Sequence, residues 1–208
     1  MRVALLSGLI AGSLLFGYQY FVIVPRIAAA EALEQHDDAD HWKPQVGTER
    51  TAFTAASTIL TGIALAAVLV AFASLTGSGL DVHRGLLWGV AGFACFVAAP
   101  ALGLPSEPPG VPAADVGARQ LWWAFTAAAS ALGLWLIVMS RQGRVVRAVG
   151  SILIVLPHVI GAPQATGPQV IPAALVRDFA IASIVGNGLF WIVAGAAAGW
   201  LQARRHSP

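Results

Sequence analysis

The chain has 208 residues, 57% of them hydrophobic and only 11% charged, against about 25% charged in an ordinary soluble domain. Its net charge of +2 is too small and too scattered an excess to attract nucleic acid. Cys95 is the only cysteine, which excludes an intrachain disulfide and any cysteine-based metal cluster.

Apolar blocks alternate with short polar segments along the whole chain. A block of ~20 residues crosses a hydrocarbon core of ~30 Å as a helix. Barrel strands would alternate in runs of only ~10 residues, whereas these blocks are longer and apolar on every face. The fold class is therefore all-α, a polytopic transmembrane helical bundle of about six spans, with five as the alternative. In chain order the predicted spans are Val3–Val24, Phe53–Leu75, Gly85–Leu104, Leu121–Ser140, Val145–Gly161 and Phe179–Leu201. The first is followed by Ala28, Ala29 and Ala30 as a signal peptide would be. Its apolar core nevertheless exceeds the ~7–15 residues of a signal sequence, and it reads as a retained span. The fifth is the shortest and carries Arg147 near its start. Residues 1–208 read as a single integral membrane domain, with 25–52 an acidic, His-bearing outer loop. Gly8 with Gly12, Gly85 with Gly89, and Gly195 with Gly199 have the spacing that lets helix backbones approach closely.

Six spans place Arg2, Arg84, Arg141, Arg144, Arg147, Arg204 and Arg205 on one side, and Arg26, Lys43, Arg50, Arg119 and Arg177 on the other. The more basic side is expected to be cytoplasmic, and both termini with it. Acidic residues segregate the opposite way: Glu31, Glu34, Asp37, Asp38, Asp40, Glu49, Glu107, Asp115 and Asp178 fall outside, and Asp81 alone inside. Such an outer face raises the local concentration of cations.

Three polar features could carry chemistry. The first is Glu34-Gln35-His36-Asp37-Asp38-Ala39-Asp40-His41-Trp42. If the first helix continues outward, His36 lies over Asp40 and Asp37 over His41. Imidazole with carboxylate suits divalent cobalt, nickel or zinc; the plain alternative is a solvated, charge-rich loop. The second is Leu156-Pro157-His158-Val159-Ile160-Gly161-Ala162-Pro163. Pro157 frees a backbone carbonyl, and a histidine within a span usually faces the bundle interior or a cavity. Broken helices beside polar side chains build ion sites in transporters; the alternative is an interfacial histidine that reaches water. The third is the proline-rich loop from Leu102 to Gly110, followed by Arg119-Gln120-Leu121-Trp122-Trp123. Trp122 and Trp123 read as an aromatic belt, while Glu107 either pairs with Arg119 or faces a cation path. Tyr18, Gln19 and Asn187 read as packing hydrogen bonds within spans. No P-loop, zinc-protease helix or nucleophile elbow is present, and the chain reads as a non-enzyme.

An ordered set of motifs carries a family resemblance. It runs from His41-Trp42-Lys43-Pro44 and Gly47-Thr48-Glu49-Arg50-Thr51 to Gly103-Leu104-Pro105-Ser106-Glu107-Pro108-Pro109-Gly110. Arg119-Gln120-Leu121-Trp122-Trp123 and the segment around Pro157-His158 complete it. Together they resemble the probable cobalt transporter subunit family, CbtA. The resemblance implies a multi-pass protein of the bacterial inner membrane that takes up cobalt for cobalamin synthesis. It implies a small one-span, His-bearing companion subunit (CbtB-like), with membrane lipid as the remaining partner. By motif match it points to His36, His41, Glu49, Glu107 and His158 as metal-contacting residues, and Asp37 and Asp40 join them from the loop chemistry. Co2+ or Ni2+ is then a transported ion, with no permanently bound cofactor. Two other readings stand beside it: a non-transporting assembly or anchoring subunit, and a membrane redox subunit. Haem ligation would want histidines facing each other at similar depth, and only His158 lies within a predicted span.

Overall fold

Each apolar block folds as a helix, because within lipid the backbone must satisfy its own hydrogen bonds. The computed structural model describes residues 1–33, 44–45, 47–77, 79–139 and 143–204. Among them run α1 (Arg2–Glu31), α2 (Thr48–Leu75), α3 (Val82–Ala101), α4 (Val116–Met139), α5 (Arg144–Ile160) and α6 (Ala173–Ala203), with no strand. All except α5 are long and apolar enough to cross a membrane. The fifth helix has 17 residues, or about 26 Å at 1.5 Å per residue, a little under the ~30 Å of a hydrocarbon core.

Local chemistry sets the helix ends. The alanines after the first predicted span are strong helix formers, and α1 continues through them to Glu31. Asp81 caps α3 by accepting the Arg84 backbone N–H at 2.8 Å. Gly161, at φ +90°, ends α5 in a conformation that side chains resist. Two turns widen into π-helix, Gln19–Ile23 in α1 and Ala94–Ala98 in α3. Each lies just before a proline, Pro25 or Pro100. Proline offers no N–H to the carbonyl four residues earlier, and a wider turn redistributes the bonds that remain.

The outer surface is apolar. Phe21 is 77% exposed, Leu60 65% and Val155 53%, on helices that a soluble protein would have to cover. The interior instead holds small residues and a few rings. Phe190 and Trp191 of α6 are fully buried, and Trp191 stacks on Phe96 with centroids 5.6 Å apart.

Glycines set which helices touch. The main pairings are α1 with α2, α3 with α6, α4 with α5, and α1 with α6. A methyl group on Gly8 would strike the backbone of Ile63, and one on Gly12 would press on Ile59. Gly85 and Gly195 face each other so closely that a Cβ on either would collide with the other's carbonyl. Gly89 meets the Trp191 carbonyl and Gly199 meets that of Asp81 in the same way. The three glycine pairs expected from spacing therefore lie in two contact seams, α1–α2 and α3–α6. A third seam, Gly133 of α4 against Gly150 of α5, has one glycine per helix and no pair to announce it.

These contacts make successive helices antiparallel, and they sort the charges. Glu31, Glu49, Glu107, Asp115 and Asp178 gather at one end of the bundle; Asp81 lies at the other with Arg2, Arg84, Arg144, Arg147 and Arg204. One expectation needs correction. Trp122 is 6% exposed and packs inside the bundle against Gly103, where it cannot serve as a belt residue; Trp123, 41% exposed, can.

Candidate functional site

The wide turn of α1 begins at Gln19, and polar side chains from three helices meet there. The Thr58 hydroxyl of α2 donates to Gln19 Oε1 at 2.6 Å. On α6, Asn187 Nδ2 donates to the Ser183 carbonyl at 2.9 Å. Tyr18 packs its ring over Gly186 and donates its hydroxyl to the Ala182 carbonyl at 2.9 Å. Glycine at 186 is what admits that ring between α1 and α6.

Two cavities open around this junction. The inner one, of ≈ 200 Å³, is walled by Gln19, Ser57, Thr58, Thr61 and Asn187 with Leu15, Leu65 and Phe190, and it opens sideways where Ser57 and Thr61 are exposed. The second, of ≈ 400 Å³, is walled by Tyr18, Gln19, Ser183 and Asn187 and reaches Glu107 and Arg119. Leu15, Gln19 and Asn187 belong to both walls, so the two adjoin as a cleft of mixed polar and apolar lining, its outer part nearer the acidic end. Its inner half is lined without any ionisable residue. Its mouth carries an ion pair, Arg119 to Glu107 at 3.4 Å, about one-third exposed. Asp115 holds that region by accepting the Ala118 N–H at 2.9 Å in the first turn of α4. A pair this exposed contributes at most ~1 kcal/mol, so little free energy opposes its opening.

The residues expected from sequence scatter around this cleft. His36, Asp37, Asp40 and His41 lie outside the described residues. Glu49 sits in the first turn of α2, where its carboxylate accepts the Gln45 N–H at 3.2 Å. Beside it Arg50 grips both carboxylate oxygens of Glu31, at 2.6 and 3.0 Å, and clamps the stem of the loop that carries the histidines. Of the expected residues that are described, Glu107 alone lines the cleft. His158 sets its ring edge-to-face on Trp122, centroids 5.9 Å apart, and lines neither cavity. The Trp122 Nε1 beside it is buried without a partner among the described residues. Among those residues no three His, Cys, Asp or Glu side chains group so as to hold a metal ion.

Sequence reading assigned Gln19 and Asn187 to packing and passed over Thr58 and Thr61. Gln19 does bond to Thr58, yet both also line open space. The available signal was Pro25, six residues after Gln19 in a span, because proline loosens the helix around such a polar side chain. The cleft offers amide and hydroxyl groups, with neither a nucleophile–base pair nor a cofactor pocket among its walls. That chemistry suits holding and passing a polar solute. No curated protein and no solved structure matches the chain. The model of the family described as "Probable cobalt transporter subunit (CbtA)" matches residues 1–203. An apolar-surfaced helical bundle with a polar cleft at one end fits that description, and the match spans nearly the whole sequence: the chain belongs to the CbtA family of probable cobalt transporter subunits.

Proposed function

We propose that the chain is the multi-pass subunit of a bacterial inner-membrane permease that takes up cobalt for cobalamin synthesis. The observation that carries this reading is the cleft. Polar groups inside a membrane bundle are costly, and they concentrate along solute paths. Here they run from the Glu107–Arg119 pair to Asn187 and Thr61. The acidic end faces outward in this reading, because the arginine-rich end suits the cytoplasm. His36, Asp37, Asp40, His41 and Glu49 collect the divalent ion, Glu107 stands at the cleft mouth, and His158 supplies an imidazole at the same end. A small His-bearing companion subunit completes the permease.

The test is radioactive cobalt uptake by cells expressing the chain with and without that companion. Uptake that requires this chain is the expected result. Uptake that persists after its deletion would make it an assembly subunit, and no uptake in any combination would end the reading.

A further inference from the structure

The inner half of the cleft poses a chemical problem for a metal ion. Its polar walls are neutral: Gln19, Ser57, Thr58, Thr61 and Asn187. A divalent cation stripped of water needs charged or strongly donating ligands to replace its shell. No His, Cys, Asp or Glu lines this cavity, and none of those types group in threes among the described residues. A bare ion would therefore be stranded there.

An ion that keeps its water meets a better match. Metal-bound waters are hydrogen-bond donors, so a hydrated cation asks its surroundings for acceptors. Asn187 spends its amide N–H on the Ser183 carbonyl, and its Oδ1 has no partner among the described residues. The Thr58 hydroxyl spends its proton on Gln19 and keeps oxygen lone pairs to offer. The Thr61 hydroxyl makes no hydrogen bond among the described residues and borders the same space at its exposed side. Space permits it: a shell of about six waters is larger than a bare ion, and the two cavities hold ≈ 200 and ≈ 400 Å³.

We propose that the cleft between α1, α2 and α6 is an outer-sphere site, which holds a divalent cation with its water shell intact through Asn187, Thr58 and Thr61. The inference rests on the uptake reading above. It assigns the cleft to charge and hydrated size, which similar divalent ions share, and leaves discrimination among metals to direct ligands elsewhere.

Cobalt(III) hexaammine tests it, since that complex does not exchange its ligands and imitates a fully hydrated ion. It should block cobalt uptake by the intact permease. The Thr58→Val, Thr61→Val variant keeps side-chain shape and removes two hydroxyl acceptors while freeing one, Gln19 Oε1, for a net loss of one. It should weaken the block about tenfold or more, the scale of losing one or two hydrogen bonds to a charged group. Thr61→Val alone breaks no hydrogen bond of the described fold and should weaken it in the same direction, which guards against a misfolded double variant. If uptake is normal and the hexaammine does not block it, the outer-sphere site is wrong while the transport reading stands. A block unchanged by either variant would place the hydrated ion elsewhere and also overturn the proposal. Absence of uptake by the intact permease would remove both.

Discussion

The sixth helix makes two seams of opposite character. Toward its C-terminal half, Gly195 and Gly199 meet Gly85 and Asp81 of the α3 segment backbone to backbone, with no room for a methyl group. Toward its N-terminal half, Asn187 faces Gln19 and Thr58 across open space, and Tyr18 bridges to the Ala182 carbonyl. Both seams contain glycine, so small residues alone do not decide whether helices close on each other. The difference is the facing helix. At the dry seam α3 is regular α-helix with glycines at matching heights; at the wet seam α1 passes through a π turn that ends two residues before Pro25. Matching glycines bring backbones together, and a widened turn with a polar side chain holds them apart.

The dry seam should break most completely. Gly85→Leu drives a side chain into the Gly195 carbonyl and should cost at least ~3 kcal/mol, the upper range for overpacking a tight core. Loss of correctly inserted protein, read by extraction and thermal unfolding in detergent, checks it. Near-normal stability would show that the seam can slide. The wet seam should instead lose function while the fold survives. Glu107→Gln removes the carboxylate at the mouth but leaves Arg119 in place. Cobalt uptake should fall about tenfold with a stability change under ~1 kcal/mol, and an unchanged uptake would separate the cleft from the ion's route.

His158 sharpens the contrast, because it belongs to neither seam. His158→Phe preserves an aromatic edge on Trp122 and cannot ligate. If the imidazole meets the ion, both this variant and His158→Gln should lose most of their uptake. Normal uptake in the Phe variant would reduce the residue to packing. A smaller effect is expected upstream. The His36→Ala, His41→Ala double variant should bind Co2+ several-fold more weakly, by titration calorimetry. Binding to the unaltered chain should fade on acidification, since protonated imidazole cannot ligate. Equal affinity in both proteins would take the histidines out of the site. Smallest of all, Tyr18→Phe removes one hydrogen bond across the wet seam and should lower stability by ~1 kcal/mol with the ring still seated on Gly186.

The sequence was most informative where a signal is local. Apolar blocks gave the helices, and glycines four apart gave two of the seams, because both patterns repeat along one helix. The α4–α5 seam was invisible, since Gly133 and Gly150 each stand alone and meet only in three dimensions. The cleft was hidden for the same reason: Gln19, Thr58 and Asn187 come from three helices. Trp122 was misjudged because neighbouring helical residues point about 100° apart. One of two adjacent tryptophans can therefore face lipid while the other is buried, and the dipeptide does not say which. The loop histidines were legible as chemistry but not as geometry.

The sixth helix, last in chain order of those described, packs against both α1 and α3. Until it enters the membrane, α1–α2 and α4–α5 can each settle as a local hairpin, while Gly85 and Gly89 of α3 lack the α6 backbone they pack against. A chain stopped before residue 173 lacks the α6 wall of the cleft, Phe179, Ser183, Gly186, Asn187 and Phe190.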